Sequence, residues 1–472
     1  MNALRLTVGW LAAACAGRIV SGDPEQAVGD IATDSRSLHP DDFFVALRGA
    51  RFDGHRFVEE AFARGAAGAI VEAGWTDTGA DLKVRPSTAA IVEVGDTTRA
   101  LQDVAHAIRE AVGTKVIAIT GSAGKTTTKD IIANFLSTSY RVVKNKGNLN
   151  NHIGLPLSLM QLRDRPDVAV MELGMNHAGE ISTLVAIADP DVRVWTNVGD
   201  AHLGFFASPA AIADAKAEIL EAAEPHDVLV CNADDPLVMA RATQFAGRLV
   251  TFGEAAQATV RSSSIEDRGI DGMRARVATP AGEGVLETPL LGRGNLANVL
   301  AATAVALEFN IPLDEVVERA ATLRASDRRG AVHHLRGGVT LIDDSYNSSP
   351  AALARALEVL GKTSQATRRV AVLGEMLELG AHAEDRHRDS GRRAAGAGLA
   401  ALFAVGGAPA RALADAAVEA GFPPANVACF ETSDSAAPAI AAAIRAGDVV
   451  LVKGSRGIRT DVIADRIAEE FA

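Results

Sequence analysis

The 472-residue sequence contains only three cysteines, Cys15, Cys231 and Cys429, and no Cys-x-x-Cys spacing. A disulfide framework or a zinc ribbon is therefore excluded, and a reducing cytoplasm is the expected compartment. Uninterrupted apolar runs of the roughly 20 residues that a membrane span needs are also lacking. Residues 6–15 are apolar but short, and they follow the single charge of Arg5. This segment predicts an amphipathic helix rather than a secretion signal.

Positive charge is in the minority, since 47 lysines and arginines stand against 59 acidic residues and give a net charge of -12. A nucleic-acid partner is not expected, because such binding needs a broad basic surface that neutralises phosphates. Hydrophobic residues make up 48% and charged residues 22% of the chain, which is typical of globular proteins and excludes a disordered chain. The length predicts roughly three domains.

Short apolar runs alternate with amphipathic stretches between residues 116 and 253, a pattern typical of βαβ units in a parallel sheet. The predicted strands are residues 116–120, 168–172, 192–197 and 228–232. The predicted helices are residues 125–136, 179–188 and 209–222. Residues 259–291 then favour antiparallel strands at the edge of this sheet, and helices are predicted at 295–308 and 313–323.

A second alternating block, from residue 339 onwards, predicts a Rossmann-like α/β domain with strands at 339–343, 369–373, 402–405 and 449–452. The first hundred residues predict a smaller mixed α/β domain. The predicted fold class is therefore α/β, with a central P-loop-type, mostly parallel sheet flanked by helices. The predicted domains are residues 1–112, 113–326 and 327–472.

The strongest local motif is ITGSAGKTTTK at residues 119–129, where an apolar strand runs into a glycine-rich turn and a helix. Gly121 and Gly124 allow successive backbone N–H groups to face an anion, and the helix N-terminus adds a favourable dipole. Lys125 can reach terminal phosphates and Thr126 can ligate Mg²⁺. The motif predicts a phosphate-binding loop, which Ser122, Ala123 and Thr127 complete.

Three further polar residues lie at or after predicted strand ends, namely Glu172, His202 and Lys216. Taken singly, each has an ordinary explanation: a solvated carboxylate, a structural imidazole and a surface ammonium group. Together with a phosphate-binding loop in the same sheet, Glu172 and His202 become candidate ligands for a second divalent cation.

An ordered series of motifs along nearly the whole chain resembles the Mur ligase family. The motifs are DSR at 34–36, FVALRG at 44–49, DGH at 53–55, TGSAGKT at 120–126, GNLNNHIGLP at 147–156, ELGMNHAGEI at 172–181, NVGDAHL at 197–203, KAEI at 216–219, GRGNLAN at 292–298, DDSYN at 343–347, GEMLELG at 374–380 and KGSR at 453–456. The LNN, DDSYN and MLELG runs are similar to those of the dipeptide-adding member of the family.

The resemblance implies an ATP-dependent amide ligase of peptidoglycan precursor synthesis. Such an enzyme joins D-alanyl-D-alanine to UDP-MurNAc-tripeptide through an acyl phosphate and gives UDP-MurNAc-pentapeptide, ADP and phosphate. The N-terminal domain is then expected to hold the UDP end of the substrate, the central domain ATP, and the C-terminal domain to close over both. A cytoplasmic monomer without a membrane span or nucleic acid is expected.

The resemblance also assigns roles to individual residues. Lys125, Lys216, His202 and Glu172 are the expected catalytic residues; Thr126 would serve one Mg²⁺, while Glu172 and His202 would hold a second. Lys216 matches a lysine that CO₂ converts to an anionic carbamate. The expected ATP contacts are the loop residues Gly121, Ser122, Ala123, Gly124, Lys125, Thr126 and Thr127, with Asn295, Asn298, Arg329 and Asp344. The expected substrate contacts are Asp34, Ser35, Arg36, Asn150, Asn151, Tyr346 and Asn347.

Some of these assignments leave alternatives open. Gly294 stands where the family has histidine, which changes the surroundings of the base. Arg328 is the alternative to Arg329, and Arg36 could meet the diphosphate or pair with a carboxylate. The DDSYN run could also cap the helix that begins near Pro350. Lys453 and Arg456 are predicted to line the cleft.

Three other functions fit part of the evidence. A ligase that adds a single amino acid, such as diaminopimelate or lysine, belongs to the same family, but the sequence lacks the DNPR run that accompanies diaminopimelate recognition. A folylpolyglutamate synthase is a weaker match. A nucleotide-dependent switch would keep the phosphate-binding loop but would not need Glu172, His202 or Lys216 for nucleotide binding.

Overall fold

The computed structural model describes residues 3–49, 52–75, 89–199, 204–363 and 366–472. Three separate sheets follow one another along the chain, with five, nine and six strands. Within these ranges no helix is both long and apolar enough to cross a membrane. All three cysteines lie in the described part, and none of them forms a disulfide.

The N-terminal sheet has the strand order β1-β5-β4-β3-β2, with β1 antiparallel to β5 and the other pairs parallel. Its elements are α1 (Val8–Ala14), β1 (Arg18–Ser21), β2 (Ile31–Ala32), β3 (Phe43–Val45), α2 (Val58–Ala63), β4 (Gly68–Glu72), β5 (Ala90–Val94) and α3 (Thr97–Val112), with 3₁₀ turns at Ser35–Ser37 and Gly54–Phe57. The helix predicted within residues 6–15 is confirmed as α1. The Thr7 side chain caps it by accepting a hydrogen bond from the Trp10 N–H.

The central sheet has the order β14-β13-β12-β11-β10-β9-β6-β8-β7 and is parallel from β7 through β12. Its strands are β6 (Lys115–Thr120), β7 (Val142–Lys144), β8 (Val168–Glu172), β9 (Val192–Trp195), β10 (Val228–Asn232), β11 (Arg248–Gly253), β12 (Val260–Asp267), β13 (Met273–Thr279) and β14 (Gly282–Thr288). The last three strands are antiparallel at one edge, as the sequence predicts.

The helices of this domain are α4 (Lys125–Leu136), α5 (Gly154–Leu159), α6 (Glu180–Ala188), α7 (Pro209–Ala217), α8 (Pro236–Ala242), α9 (Gly292–Glu308) and α10 (Leu313–Ala320). The predicted bounds of α4 are confirmed, but the helix predicted at 209–222 ends five residues early. The chain continues as a 3₁₀ turn over Glu218–Leu220, and the Glu218 carboxylate accepts hydrogen bonds from the backbone N–H groups of Gly179 and Ser182. Ala222 then adopts a left-handed conformation with φ +51°.

The C-terminal sheet has the order β15-β16-β20-β17-β18-β19, with only β15 antiparallel to its neighbour. Its elements are β15 (Ala331–His334), β16 (Thr340–Asp344), α11 (Pro350–Lys362), β17 (Arg368–Gly374), α12 (Ala383–Ala395), β18 (Ala401–Val405), α13 (Ala408–Glu419), β19 (Val427–Phe430), α14 (Ser433–Ala443), β20 (Asp448–Lys453) and α15 (Asp461–Glu470). The predicted α/β fold class is confirmed by these three sheets and their helices.

Apolar cores join neighbouring domains. Helix α3 packs against α5 and α6 of the central domain, so that one buried cluster runs from Leu11 and Val92 to Leu155 and Leu184. On the other side, Ile270 and Leu291 of the central domain pack into the C-terminal core. The carboxyl ends of β6, β8 and β16 therefore open towards one cleft, where α/β sheets bind ligands.

Candidate functional site

A cleft of about 750 Å³ lies between the central and C-terminal domains. It collects most of the predicted site residues, although they are distributed over more than 220 positions of the sequence. Those lining it are Ser122, Ala123, Gly124, Lys125, Thr126, Thr127, Asn150, Asn151, Glu172, Asn295, Asn298, Arg329, Asp344, Tyr346 and Asn347, together with Lys453 and Arg456. The cleft is large enough for a nucleotide and part of a second substrate.

The phosphate-binding loop is held in shape by the protein itself. The Asn197 side chain makes two hydrogen bonds to Ala123, accepting from its N–H at 2.9 Å and donating to its carbonyl at 3.0 Å. The Thr196 hydroxyl donates to the same carbonyl at 2.7 Å. The strand predicted at 192–197 ends at Trp195, and the two residues beyond it use their side chains to hold the loop. Helix α4 begins at Lys125, so its N-terminus faces the cleft and favours an anion.

Substitution of Gly121 tests this preformed loop. Gly121 has φ +149°, and a Cβ there would lie 1.9 Å from the Thr196 hydroxyl oxygen. We expect Gly121→Ala to weaken ADP binding at least 10-fold and to lower the free energy of unfolding by about 1–3 kcal/mol. Calorimetric titration with ADP and thermal unfolding measure the two effects.

Gly113→Ala is the matched control for this substitution. Gly113 also has a left-handed φ, +68°, but a Cβ there would meet nothing within 4 Å. The control should lose about 1 kcal/mol of stability and keep the wild-type affinity for ADP. Equal losses of ADP affinity in the two variants would contradict a preformed loop held by Thr196 and Asn197.

Glu172 ends β8 directly opposite the loop and is only 4% exposed. One carboxylate oxygen accepts a hydrogen bond from the Thr126 hydroxyl at 2.7 Å, and the other accepts from the Asn150 side-chain amide at 2.9 Å. The Lys129 ammonium lies 4.0 Å from the first oxygen. A carboxylate, a hydroxyl and an amide oxygen are the hard ligands that Mg²⁺ prefers, so these side chains fit such an ion.

The sequence analysis missed two residues that hold Glu172 in place. The Asn145 side chain is buried; it accepts a hydrogen bond from the Glu172 N–H at 3.1 Å and donates to the Glu172 carbonyl at 3.2 Å. The Lys129 ammonium donates to the Asn145 carbonyl at 2.9 Å. A signal for Lys129 exists, because it shares the buried face of α4 with Ile132 and Leu136, where a lysine needs a partner. Asn145 gives no comparable signal.

Lys216 lies in α7 and is 1% exposed. Burial lowers the pKa of its amine well below the ordinary value, and the positive charge of Lys125 lowers it further. Among the described residues, no opposite charge offsets these two effects. Lys216 does not line the cleft. His202, the other predicted metal ligand outside β8, lies outside the described residues.

Lys125 turns back towards its own loop, where its ammonium donates a hydrogen bond to the Gly121 carbonyl at 2.8 Å. Burial lowers the pKa of this amine; the Glu172 carboxylate opposes that change, and the Arg329 guanidinium adds to it. Lys125, Glu172 and Arg329 are therefore within electrostatic reach of one another, although they come from two domains. This cluster places cations on both sides of the space above the loop.

The C-terminal domain contributes two guanidinium groups stacked on one ring. Arg329 lies 3.9 Å and Arg456 5.2 Å from the centroid of the Tyr346 ring. Arg328 turns away from the cleft and pairs with Asp465 at 3.0 Å, so Arg329 is the arginine that faces the site.

Asp344, which follows β16 into the cleft, is held by the buried Lys453, whose ammonium donates to its carboxylate at 2.6 Å. The Lys453 ammonium also donates to the carbonyl of Asn347 at 2.9 Å. Asp344, Tyr346 and Asn347 of the DDSYN run thus line the cleft. The alternative role of this run as a helix cap is wrong, because the N-cap residue of α11 is Ser349 and no side chain among the described residues makes a capping hydrogen bond there.

The Asp34-Ser35-Arg36 run does not line this cleft. The Arg36 guanidinium makes two hydrogen bonds to the Asp34 carboxylate, at 2.9 and 2.7 Å. This pairing lowers the pKa of Asp34 to about 2. Asp34 also accepts a hydrogen bond from the Arg36 N–H and begins the 3₁₀ turn. Of the two roles open to Arg36, the structure shows the pairing with a carboxylate.

The chain matches three family models in succession. They are "Mur ligase family, catalytic domain" over residues 28–112, "Mur ligase middle domain" over 119–306 and "Mur ligase, glutamate ligase domain" over 328–456. A curated relative from Bacillus subtilis, named UDP-N-acetylmuramoyl-tripeptide--D-alanyl-D-alanine ligase, is 32% identical over 99% of both chains.

Two solved structures are also similar. The crystal structure of MurF from Acinetobacter baumannii is 31% identical, with a TM-score of 0.87 over 99% of this chain and 100% of that one. The MurF ligase of Thermotoga maritima in complex with ADP is 27% identical, with a TM-score of 0.81 over 93% of this chain and 97% of that one. Sequence and structure comparisons therefore agree along the whole length.

Proposed function

The chain belongs to the Mur ligase family, and from this premise we propose that it joins D-alanyl-D-alanine to UDP-MurNAc-tripeptide with conversion of ATP to ADP and phosphate. It is a ligase of peptidoglycan precursor synthesis. The observation that carries the proposal is the similarity to ligases of that name over 99% of the chain, which includes all three sheets. The product is UDP-MurNAc-pentapeptide.

The first step activates the terminal carboxylate of the tripeptide. A carboxylate oxygen attacks the γ-phosphorus of ATP, the new O–P bond forms, and the bond to the leaving ADP oxygen breaks. Both reactants are anions, so their approach requires positive charge that is already in place. The N-terminus of α4, Lys125 and Arg329 supply that charge around the space above the loop.

Thr126 would hold the Mg²⁺ that accompanies ATP, and Glu172, with Asn150 beside it, would hold a second Mg²⁺; both ions would offset negative charge on the phosphates. The hydrogen bonds that Glu172 accepts from Thr126 and Asn150 aim its two oxygens in different directions. Asn145 and Lys129 hold the strand end beneath it. His202 is the further ligand that the family resemblance assigns.

Lys216 is proposed to carry a carbamate. Its depressed pKa favours the neutral amine, and this is the form that attacks the carbon of CO₂; an N–C bond forms and one proton leaves. The product is an anion, which attracts a divalent cation where an ammonium would repel it. The carbamate would also attract the Lys125 ammonium, whose charge disfavours protonation of the Lys216 amine.

The second step forms the amide bond. The amine of D-alanyl-D-alanine attacks the acyl carbon, phosphate leaves with the electrons of the C–O bond, and the amine loses a proton. Tyr346 and Asn347, which line the cleft from the C-terminal domain, are proposed to contact the incoming dipeptide. Asp34, Ser35 and Arg36, in the N-terminal domain, are proposed to contact the uridine end of the tripeptide substrate.

Omission of single components tests the function. With Mg²⁺, ATP, UDP-MurNAc-tripeptide and D-alanyl-D-alanine, we expect phosphate release that stops when any one component is left out. Mass spectrometry should show a product heavier by one dipeptide minus water. Release with a single amino acid in place of the dipeptide would assign the chain to a sister ligase. Release independent of either substrate would contradict ligase activity.

A further inference from the structure

Contacts between the phosphate-binding loop and α9 indicate how a nucleotide would be oriented in the cleft, from its phosphates to its base. A Cβ at Gly124 in the loop would lie 2.3 Å from the Asn298 side-chain oxygen, so Asn298 touches the loop. The Asn298 amide donates to the Asn295 side chain at 3.1 Å, one turn nearer the start of α9. Gly294 lies about 6 Å along the helix from Asn298 at 1.5 Å per residue. A nucleotide with its phosphates on the loop therefore directs its base towards Gly294.

Arg355 of helix α11 fills the space beside Gly294. A Cβ at Gly294 would lie 3.3 Å from both the Cδ and the Nε atoms of Arg355. A Cβ at Gly292 would likewise lie 2.9 Å from a methyl carbon of Val359, one turn further along α11. Two glycines in the first turn of α9 thus let α11 approach closely, and Arg355 lies against the end of the cleft that the base would enter.

Arg355 is an exposed residue at the cleft, and the carboxylates of Asp344 and Glu358 act on it only as more distant charges. Within the described ranges it has no hydrogen-bond or ion-pair partner, although it lines the cleft. Arg293, in the same turn of α9 as Gly294, is by contrast paired with both carboxylate oxygens of Glu254 at 2.6 and 2.8 Å. Surrounding protein lowers the pKa of Arg355, while Asp344 and Glu358 oppose that change. The Arg355 guanidinium nevertheless stays charged, because the ordinary pKa of arginine is far above neutral pH.

We propose that Arg355 is a nucleotide-positioning residue, whose planar guanidinium covers the face of the ATP base in the space that Gly294 leaves open. The inference rests on the proposed function, which makes ATP the nucleotide. A guanidinium is planar and weakly hydrated, and it stacks on aromatic rings, whereas an ammonium group offers only charge. The two residues are coupled, because a Cβ at position 294 would lie 3.3 Å from the Arg355 Cδ and Nε atoms and would require that side chain to shift.

The test compares Arg355→Ala and Arg355→Lys with the full-length wild type. Both variants should raise the KM for ATP and the Kd for ADP by about 5- to 10-fold, the scale of one cation–π contact. The KM values for the tripeptide and the dipeptide, kcat and the melting temperature should stay unchanged. If Arg355→Lys raises the KM for ATP and the Kd for ADP as much as Arg355→Ala does, the effect comes from the planar guanidinium and not from its charge. Arg388→Ala, an arginine of the same domain that pairs with Glu419 away from the cleft, is the control.

Inorganic tripolyphosphate separates the base from the phosphates. It lacks a base, so its inhibition constant against ATP should be the same in wild type and Arg355→Ala. An equal loss of tripolyphosphate affinity would overturn the assignment to the base, as would an unchanged Kd for ADP. ADP binding is measured by calorimetry without turnover, so a failed ligase assay would refute the proposed function while leaving this comparison intact.

A double-mutant cycle tests the pairing with Gly294. Gly294→His alone should weaken ADP binding, because its Cβ would already lie 3.3 Å from Arg355 and the imidazole would compete with the guanidinium for the same space. In the Arg355→Ala background the same change should cost less, so the two effects should not add. Additive effects would show that the two positions act independently and would contradict the shared space.

Discussion

Lys216→Ala is expected to lower kcat by about 10²- to 10³-fold, the range for loss of one preorganised electrostatic group, while ADP binding remains close to wild type. Lys216 is buried but does not line the cleft, so its removal takes away no direct contact with the nucleotide. What disappears is the proposed carbamate anion. Phosphate release and calorimetric titration with ADP measure the two quantities separately.

Added carboxylates should partly rescue this variant. Formate or acetate can enter the volume that the lysine side chain vacates and supply the missing negative charge. Lys115→Ala is the matched control, since Lys115 is a half-exposed lysine of the same domain that pairs with Asp191; its loss should leave turnover unchanged. Near-normal turnover of Lys216→Ala would contradict the carbamate. A carbamate resonance in the wild-type protein with ¹³C-labelled bicarbonate would support it directly.

Glu172→Gln is expected to lower kcat by about 10²-fold, or about 2.7 kcal/mol in activation free energy. Glutamine has the same shape and can still accept the hydrogen bond from Thr126, but it has no negative charge to offer a divalent cation. The neutral side chain also leaves the buried Lys129 ammonium without its carboxylate at 4.0 Å. The concentration of Mg²⁺ needed for half-maximal phosphate release should rise.

The control for this substitution is Glu308→Gln, because Glu308 pairs with Arg248 at the surface, away from the cleft. Its Mg²⁺ requirement should match that of wild type. If Glu172→Gln loses activity with an unchanged Mg²⁺ requirement, the carboxylate acts on substrate positioning rather than on the ion, and the metal assignment is wrong.

Much of the fold could be predicted because buried parallel strands carry continuous apolar runs. The predicted strands at 168–172 and 228–232 coincide with β8 and β10, since each is bounded by turn residues and buried along nearly its whole length. The three-residue edge strand β7 and the antiparallel β15 were not predicted. Neither strand is buried, so neither shows the apolar pattern that identifies a strand.

Errors at element ends have a different origin. The helix predicted to reach residue 222 shows suitable local periodicity, yet Glu218 bonds to backbone groups nearly forty residues earlier in the chain. Strand β9 stops at Trp195, and the side chains of Thr196 and Asn197 beyond it bond to the phosphate-binding loop. In both cases the residues beyond the regular element make tertiary hydrogen bonds, and no window of sequence contains their partners.

Sequence by itself determined the loop, the three α/β sheets and the family, because glycine spacing, strand-end polar residues and ordered motifs are local properties. Tertiary structure alone decided which groups act on one another. Asn145 holds Glu172 across 27 positions, and Arg355 lies against Gly294 across a domain boundary. It also decided the charge of Lys216, whose amine is an ordinary surface group in the sequence and a buried, readily neutralised one in the fold. The physical reason is that burial and electrostatic contact depend on distances in space, which the order of residues does not contain.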